Sequence, residues 1–454
     1  MTLIRSVAGV RGIVPRDLDE NIARRHARAF GEIVDGRVAV GWDSRPGGNA
    51  LEAAVVEGLL IAGVTPVRLG IVPTPTVGVA VRTLGCAGGI CITASHNPGE
   101  YNGLKFFSRS GVFVTREEGE RIFEGADALA GRAAAPCPEP GGAPETADAI
   151  ETHIELVLDA RHVDRAAVAD AALRIVVDCC NAAGSAILPQ LLRRLGCDVV
   201  ELFAEAGAGF PRVAEPVPES LTALGDRVRE TGAAAGFACD PDADRLAIVD
   251  ETGRAVGEEF TLALATDAVL AAGPGPVVTN VSTSRMIDDV ADRYGAIVHR
   301  TAVGEANVVA KMIEISAVVG GEGNGGVVLP DVQLGRDAAT AVALIVTHMA
   351  RRGAATVGEL VRELRPYAIV KRKLPAMAQS NADLERALGD VLTGGEIDRT
   401  DGVKISWADS WVHVRPSNTE PIVRVIAEAP DVDGAEALAA RAEEALGGSG
   451  EGRA

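Results

Sequence analysis

Ser95 opens the chemistry of this chain. It lies in the run Thr93-Ala94-Ser95-His96-Asn97-Pro98, where an apolar stretch, Gly89–Ile92, gives way to polar residues. Pro98 disfavours helical backbone at Asn97, so Ser95 is expected on a stiff turn at a strand end. Strand-end loops are where an α/β sheet exposes a nucleophile, the plainer alternative being a surface turn. A second group, Asp240-Pro241-Asp242-Ala243-Asp244-Arg245, directly follows the strand-like run Ala235–Cys239. Alternating aspartates on one loop bring three carboxylates within reach of one hard cation, and oxygen ligands suit Mg²⁺. The glycine and distant glutamate of an EF-hand are missing, and an acidic turn closing a strand is the structural alternative. Arg245, beside the carboxylates, is a natural phosphate clamp. If serine and aspartates face each other, a held cation would neutralise a phosphoryl group passing to or from Ser95.

Elements must bring these loops together, and the pattern supplies them. Val38–Trp42 reads as a strand, followed by a helix from about Asn49 to Ala62 with apolar residues at Leu51, Val55, Leu59 and Ile61. Thr115-Arg116-Glu117-Glu118 is a capping box opening another helix. The Pro- and Gly-rich stretch 131–147 reads as a linker or boundary. A second block has a helix near 149–160, a strand Arg174–Asp178, a helix through Leu191–Leu195, and strands Ala235–Cys239 and Leu246–Val249. A third runs through Glu258–Leu270 (helix), Val277–Asn280 (strand), Ser284–Tyr294 (helix), Ile297–Thr301 (strand) and Glu305–Ile315 (helix). Such alternation argues for parallel or mixed sheets with helices on both faces. Short strands at 403–407, 411–415 and 421–428, then a helix from about 432 to 445, mark a smaller α+β domain.

At 454 residues the chain has room for three or four domains. Its hydrophobic share of 47% is ample for their cores, and only 3% aromatics suits tightly packed Ala/Val/Gly layers. A net charge of −19 disfavours nucleic acid and anionic membranes as partners, so an anionic substrate needs a local cluster of Arg, Lys and backbone N–H groups. The seven cysteines (86, 91, 137, 179, 180, 197, 239) form no CxxC pair, which points to buried reduced thiols. The opening MTLIRSVAGVRGI has no secretory h-region, and no apolar run approaches membrane-spanning length, so a soluble cytoplasmic protein is expected.

TASHNP with Tyr101–Phe107 (YNGLKFF), then DPDADR, then Gly321–Gly326 (GEGNGG), then Arg415–Glu420 (RPSNTE) occur in the order seen in the α-D-phosphohexomutases. The chain resembles that family from Gly9-Val10-Arg11-Gly12 to the RPSNTEP loop, and is most similar to its archaeal-type phosphoglucosamine/phosphomannomutase branch. The resemblance implies three related α/β domains with mixed sheets plus a C-terminal α+β domain around a central cleft. Their expected extents are 1–147 (phosphoserine), 148–255 (metal), 256–366 (sugar) and 367–454 (phosphate). It implies that Ser95 carries a phosphate in the resting enzyme and that Ser95, Asp240, Asp242 and Asp244 hold Mg²⁺. Glu322 and Asn324 would contact sugar hydroxyls, their alternative being a glycine-rich turn with incidental polar residues. Arg415, Ser417, Asn418 and Thr419 would grip the phosphate that is not being transferred. Hydroxyls, an amide and a guanidinium on one short loop do form an anion nest, although an ST-turn between strands would look similar.

The implied reaction passes the serine phosphate to a hexose phosphate, and the bisphosphate turns over and returns its other phosphate. A serine ester is inert without positive charge to stabilise the transfer, and the attacking hydroxyl needs a base. Lys105 and Arg11 are the candidates near the serine; Leu104, Phe106 and Phe107 around Lys105 suggest burial and a lowered pKa. His96 is a further site residue, expected to pack because neighbouring side chains on extended backbone point apart. Some bacterial relatives carry histidines where this chain has Glu305 and Gly326, so two candidate acid/base groups are missing. Hexose phosphates and hexose bisphosphate are the expected ligands, with self-association left open and the hexose (glucosamine first, then mannose or glucose) undecided. A phosphatase would use the same serine and metal, but gains little from a second phosphate grip. A catalytically silent sugar-phosphate binder would tolerate loss of Ser95 or an aspartate, and all are present.

Overall fold

The computed structural model describes residues 3–7, 9–131, 143–375, 381–417 and 422–447. They form four sheets. The first orders its strands Ile4–Ser6, Gly9–Ile13, Tyr101–Phe107, Gly88–Ile92, Arg37–Trp42, Thr65–Ile71 and Glu145–Thr146. The second runs Leu246–Val249, Ala235–Cys239, Arg174–Asp178, Asp198–Leu202, and the third Gly326–Val328, Val319–Glu322, Val277–Asn280, Val298–Thr301. The fourth is antiparallel throughout: Ala368–Pro375, Ile422–Ala429, Trp411–Pro416, Val403–Ser406, Glu396–Asp398.

The first three sheets share one unit. In each, two parallel strands are joined by a helical crossover, a third strand pairs parallel with the first, and a fourth returns antiparallel beside the third. The crossover helices are Gly48–Ile61, Leu188–Leu195 and Met286–Arg293; Thr74–Thr83, Thr222–Thr231 and Glu305–Ile315 lead into the third strands. Central strands such as Arg174–Asp178 and Ala235–Cys239 are nearly continuous apolar runs because helices cover both faces. The connection from third to fourth strand is the only hairpin of the unit. It contains Ser95 in the first sheet, Asp240–Arg245 in the second and Glu322–Gly325 in the third. A hairpin of the fourth sheet, between Trp411–Pro416 and Ile422–Ala429, carries Ser417.

The helix Ala338–Arg352 is apolar around most of its circumference, and its residues from Ala338 to Met349 are buried. It belongs to a core cluster shared with residues of the second and third sheets, such as Val177, Phe237 and Val319. Asp337 caps it through Ala339 and Thr340 N–H and pairs with His153 at 3.0 Å. Two of the elements that the sequence pattern does not name have a plain reason for escaping it. Glu145–Thr146, inside the stretch read as a linker, adds a short parallel edge strand beside Thr65–Ile71. Ala368–Pro375 is an edge strand whose Lys371, Arg372 and Lys373 hide it from hydropathy, as charges on exposed edges do. The six cysteines among the described residues are buried and unbridged, and Cys137 lies outside them. Among the described residues no helix is long and apolar enough to cross a membrane.

Candidate functional site

Ser95 follows the buried strand Gly88–Ile92 with a left-handed backbone (φ 49°), a conformation few non-glycine residues adopt. Buried polar groups hold it there. Its N–H donates to Thr93 Oγ1 (2.8 Å), and Thr93 Oγ1 donates to Asp43 Oδ2 (2.5 Å). Arg45 Nε donates to the same carboxylate at 2.8 Å, Nη1 to Tyr101 O at 2.8 Å, and Nη2 to Ser95 O. Asp43 and Arg45 are almost fully buried, so this pair is a scaffold under the turn rather than a surface ion pair.

The turn aims Ser95 Oγ at the second sheet, where it donates to Asp240 Oδ2 at 3.0 Å. Asp240, Asp242 and Asp244 are buried, and one carboxylate oxygen of each lies within 4.8 Å of the others. The aspartate loop is pinned from three sides. Thr74 N donates to Asp242 O (2.9 Å), Ala183 N to Pro241 O (3.0 Å) and Ala338 N to Ala243 O (3.1 Å). Thr74 Oγ1 also donates to Asp242 Oδ2 at 2.5 Å, while Asp240 Oδ1 receives the N–H groups of Asp244 and Arg245. Asp242 Oδ1 and Asp244 Oδ1 are buried without a hydrogen-bond partner among the described residues. Orphaned carboxylate oxygens beside a third carboxylate are what a hard cation satisfies, so this donor set fits a metal.

Lys105, on the strand Tyr101–Phe107, donates from Nζ to Asp242 Oδ2 (2.6 Å) and Asp244 Oδ2 (3.3 Å). Here the sequence expectation of a lowered pKa is corrected. Burial does push the ammonium down, but Asp242 and Asp244 outweigh it, and the pKa is raised. Burial, then Asp244 and Asp242, push Asp240 well above the usual carboxylate range. Burial also raises Asp244, yet Arg336, Lys105 and Arg245 reverse this and hold it below that range. The expectation that His96 points away is corrected too: its Nδ1 lies 3.4 Å from Ser95 Oγ, because the left-handed turn is not extended backbone. Burial, then Arg245, push His96 down to about 2. Arg11 reaches the serine loop through Asn97 Oδ1 at 3.2 Å. Arg245 has its Nη1 3.0 Å from Glu215 and its Nε 3.9 Å from Asp244.

The glycine-rich loop abuts the aspartate loop, with Leu246 N donating to Gly325 O at 3.0 Å. A Cβ on Gly325 would stand 2.4 Å from Leu246 O, so only glycine permits that approach. Glu322 is buried; Oε1 accepts from Asn280 Nδ2 (2.9 Å) and Gly304 N (3.1 Å), and Oε2 from Arg336 Nη1 (3.0 Å). Asn324 Oδ1 accepts from Gly326 N at 3.2 Å, within its own loop. Arg336 is the residue sequence reading missed. It lies in an irregular loop just before the capping Asp337, and its only sequence signal is a lone arginine between Gly335 and that cap.

In the fourth sheet Arg415 is buried, its Nη1 3.5 Å from Pro416 O and 3.6 Å from Asp401 Oδ2. Ser417 N donates to Ile422 O (2.8 Å) across the hairpin. Asn418 and Thr419 lie outside the described residues.

Comparison with known proteins finds relatives along nearly the whole chain. Models of phosphoglucomutase/phosphomannomutase alpha/beta/alpha domains I, II and III match residues 3–131, 151–253 and 257–367, and the C-terminal domain model matches 368–445. A Methanopyrus kandleri protein named "Probable phosphoglucosamine mutase" is 38% identical over 437 residues, 95% of each chain. A Thermococcus kodakarensis protein named "Phosphoglucomutase/phosphomannomutase" is 39% identical over 433 residues, 93% of each. Among solved structures, a phosphoglucomutase/phosphomannomutase family protein from Burkholderia thailandensis superposes with a TM-score of 0.85 at 27% identity, covering 99% of both chains.

Proposed function

The chain belongs to the phosphoglucomutase/phosphomannomutase family of phosphohexomutases, and from that premise we propose that Ser95 is its phosphoryl carrier and glucosamine phosphate its substrate. A phosphohexomutase is an isomerase. In this reading Ser95 Oγ gives its phosphoryl group to a hydroxyl of the bound hexose phosphate. The Oγ–P bond breaks as the sugar O–P bond forms, the sugar hydroxyl gives up its proton, and Oγ, beside Asp240, takes one up. The bisphosphate then turns over in the cleft and returns its other phosphate to Ser95. In the return step the serine proton must leave, and Asp240 Oδ2 is the oxygen it points to.

Asp240, Asp242 and Asp244 would hold Mg²⁺ together with the serine phosphate; when bound, that ion neutralises charge on the phosphoryl group in transit. Lys105 adds fixed positive charge beside the same carboxylates, and Arg11 and His96 steady the serine loop. Glu322 and Asn324 would receive sugar hydroxyls, and Arg245 would face the phosphate near the serine. Arg415 and Ser417, with Asn418 and Thr419, would hold the idle phosphate. The observation that carries the reading is the Ser95 hydroxyl 3.0 Å from Asp240, with two unpartnered carboxylate oxygens beside it.

Glucosamine rests on the name of the Methanopyrus relative, and the Thermococcus relative's name makes mannose and glucose phosphates the second reading. The test offers purified protein the 1-phosphates of glucosamine, mannose and glucose, with Mg²⁺ and catalytic hexose 1,6-bisphosphate. The 6-phosphate of glucosamine should appear fastest. Release of inorganic phosphate without isomer would overturn the mutase reading in favour of a phosphatase.

A further inference from the structure

Arg336 joins three separate segments that the proposed reaction needs in register: the aspartate loop, the end of the strand Val319–Glu322 and the start of the helix Glu305–Ile315. Its Nη2 donates to Asp244 Oδ2 at 2.8 Å, its Nη1 to Glu322 Oε2 at 3.0 Å, and its Nε to Glu305 Oε2 at 3.0 Å. The clamp is double at Glu305, whose Oε1 also accepts the Arg336 backbone N–H at 3.0 Å. Only 11% of the Arg336 side chain is exposed, and Glu305 and Glu322 are similarly covered. A planar guanidinium whose nitrogens each meet a different carboxylate fixes angles as well as charge, which a lysine cannot do.

Gly326 makes this arrangement possible. A Cβ there would stand 2.2 Å from Arg336 Cδ and 2.8 Å from its Cγ, so a side chain at 326 forces the arginine stem to shift. Glu305 and Gly326 serve Arg336 in different ways, one as anchor and the other as space. The link also divides labour at each carboxylate. Asp244 gives Oδ2 to Arg336 and Lys105 and keeps Oδ1 open, while both Glu322 oxygens are oriented from within the protein.

We propose that Arg336 is a positioning residue that locks the metal loop to the sugar loop, with Glu305 as its anchor and Gly326 as the space it needs. The inference rests on the mutase reading. Geometry, not charge alone, is then what Arg336 supplies. Removing it leaves Asp244 with one fewer cation beside it, so a divalent ion should bind at least as tightly while turnover collapses.

The test compares wild type with Arg336→Ala, Arg336→Lys, Gly326→Ala and the Gly326→Ala/Arg336→Ala double variant. Steady-state kinetics use whichever hexose phosphate the wild type turns over, and Mn²⁺ binding is followed by electron paramagnetic resonance. Loss of register should lower kcat about 100-fold in Arg336→Ala and Arg336→Lys alike, with smaller changes in KM. Mn²⁺ should bind both as tightly as wild type or tighter. Gly326→Ala should reproduce the loss, and the double variant should be no worse than Arg336→Ala alone. Arg336→Lys within about threefold of wild-type kcat would overturn the proposal, since charge would then suffice. So would loss of Mn²⁺ binding together with activity, which marks a merely structural role, or additive losses in the double variant. A wild type inactive on every hexose phosphate would instead defeat the mutase reading itself.

Discussion

Replacing Thr93 by valine should disarm the proposed nucleophile, Ser95, without touching it. Thr93 is buried, and its Oγ1 both accepts from Ser95 N (2.8 Å) and donates to Asp43 Oδ2 (2.5 Å). Valine keeps the shape and removes both bonds. A hydrogen bond to a buried carboxylate contributes about 2 kcal/mol, and stranding the Ser95 N–H costs about 2 kcal/mol more. The extra methyl returns less than about 1 kcal/mol, so a net loss of about 3 kcal/mol is expected. The left-handed backbone at Ser95 carries strain of about 1 kcal/mol, and with its N–H released the turn can relax. A shift of about 1 Å in Ser95 Oγ relative to Asp240 would lower kcat by about 100-fold. Thr93→Ser, which keeps the hydroxyl, is the control. Calorimetry should show the first unfolding transition of Thr93→Val at lower temperature, and intact mass should show less phosphorylated protein than wild type. Wild-type kcat in Thr93→Val would refute the reasoning, because the turn would then be held by something other than this hydroxyl.

Ser95→Ala should abolish turnover while leaving sugar-phosphate binding intact, and the species heavier by one phosphate should vanish from its mass spectrum. Chelation, or Asp242→Asn, should remove activity; Mg²⁺ should restore the chelated wild type and Ca²⁺ should do so poorly, because its larger coordination shell misplaces the phosphate. Lys404 donates to Val281 O across the third and fourth sheets, and burial, then Arg300, push its pKa from 10.5 down to about 7. The unfolded chain therefore binds more protons between about pH 7 and 10.5, so the stability of this docking should rise with pH over that window and fall as pH drops towards 7. Lys404→Met should flatten that slope in thermal melts; an unchanged slope removes Lys404 as its source.

The sequence displayed the chemistry more clearly than the machinery that places it. Ser95 and the three aspartates stand out because each group follows directly on an apolar strand-like run and, in the aspartates' case, alternates along one loop. Arg174–Asp178 and Ala235–Cys239 were legible as apolar runs bounded by polar loops. Thr93, Asp43 and Arg45 were not, since a buried arginine paired two residues from its aspartate looks in sequence like an exposed turn. Lys105 illustrates the same limit from the other side. Its apolar neighbours correctly suggested burial, but the sign of its pKa shift depends on Asp242 and Asp244, which lie more than a hundred residues away. Arg336 was invisible because its meaning is the distance to three carboxylates on three separate elements of the chain.

The repeated unit explains why those loops meet at all. In each of the first three sheets the repeated unit turns from parallel to antiparallel at the hairpin after its third strand, and Ser95, Asp240–Arg245 and the glycine-rich loop sit at those three hairpins. Each loop adds carboxylate or cationic groups to one place, in a chain whose overall charge of −19 repels anionic ligands at long range. That repulsion is screened within about 8 Å at physiological salt, so local pairing decides what a phosphate meets. Lys105 and Arg336 are held at 2.6 and 2.8 Å by carboxylates, and Arg245 by Glu215 at 3.0 Å. Arg415 is different: its nearest carboxylate among the described residues is Asp401 at 3.6 Å, beyond hydrogen-bond range. Among the described residues it is therefore less tightly engaged by carboxylate than Lys105, Arg336 or Arg245. If it grips whichever phosphate is idle, Arg415→Ala should cost about 2–4 kcal/mol in kcat/KM with hexose 1-phosphate and hexose 6-phosphate alike. The bisphosphate should also escape more often, which rapid quench reads as free hexose bisphosphate. Impairment in one direction only, with no rise in released intermediate, would show that the two phosphates do not share this loop.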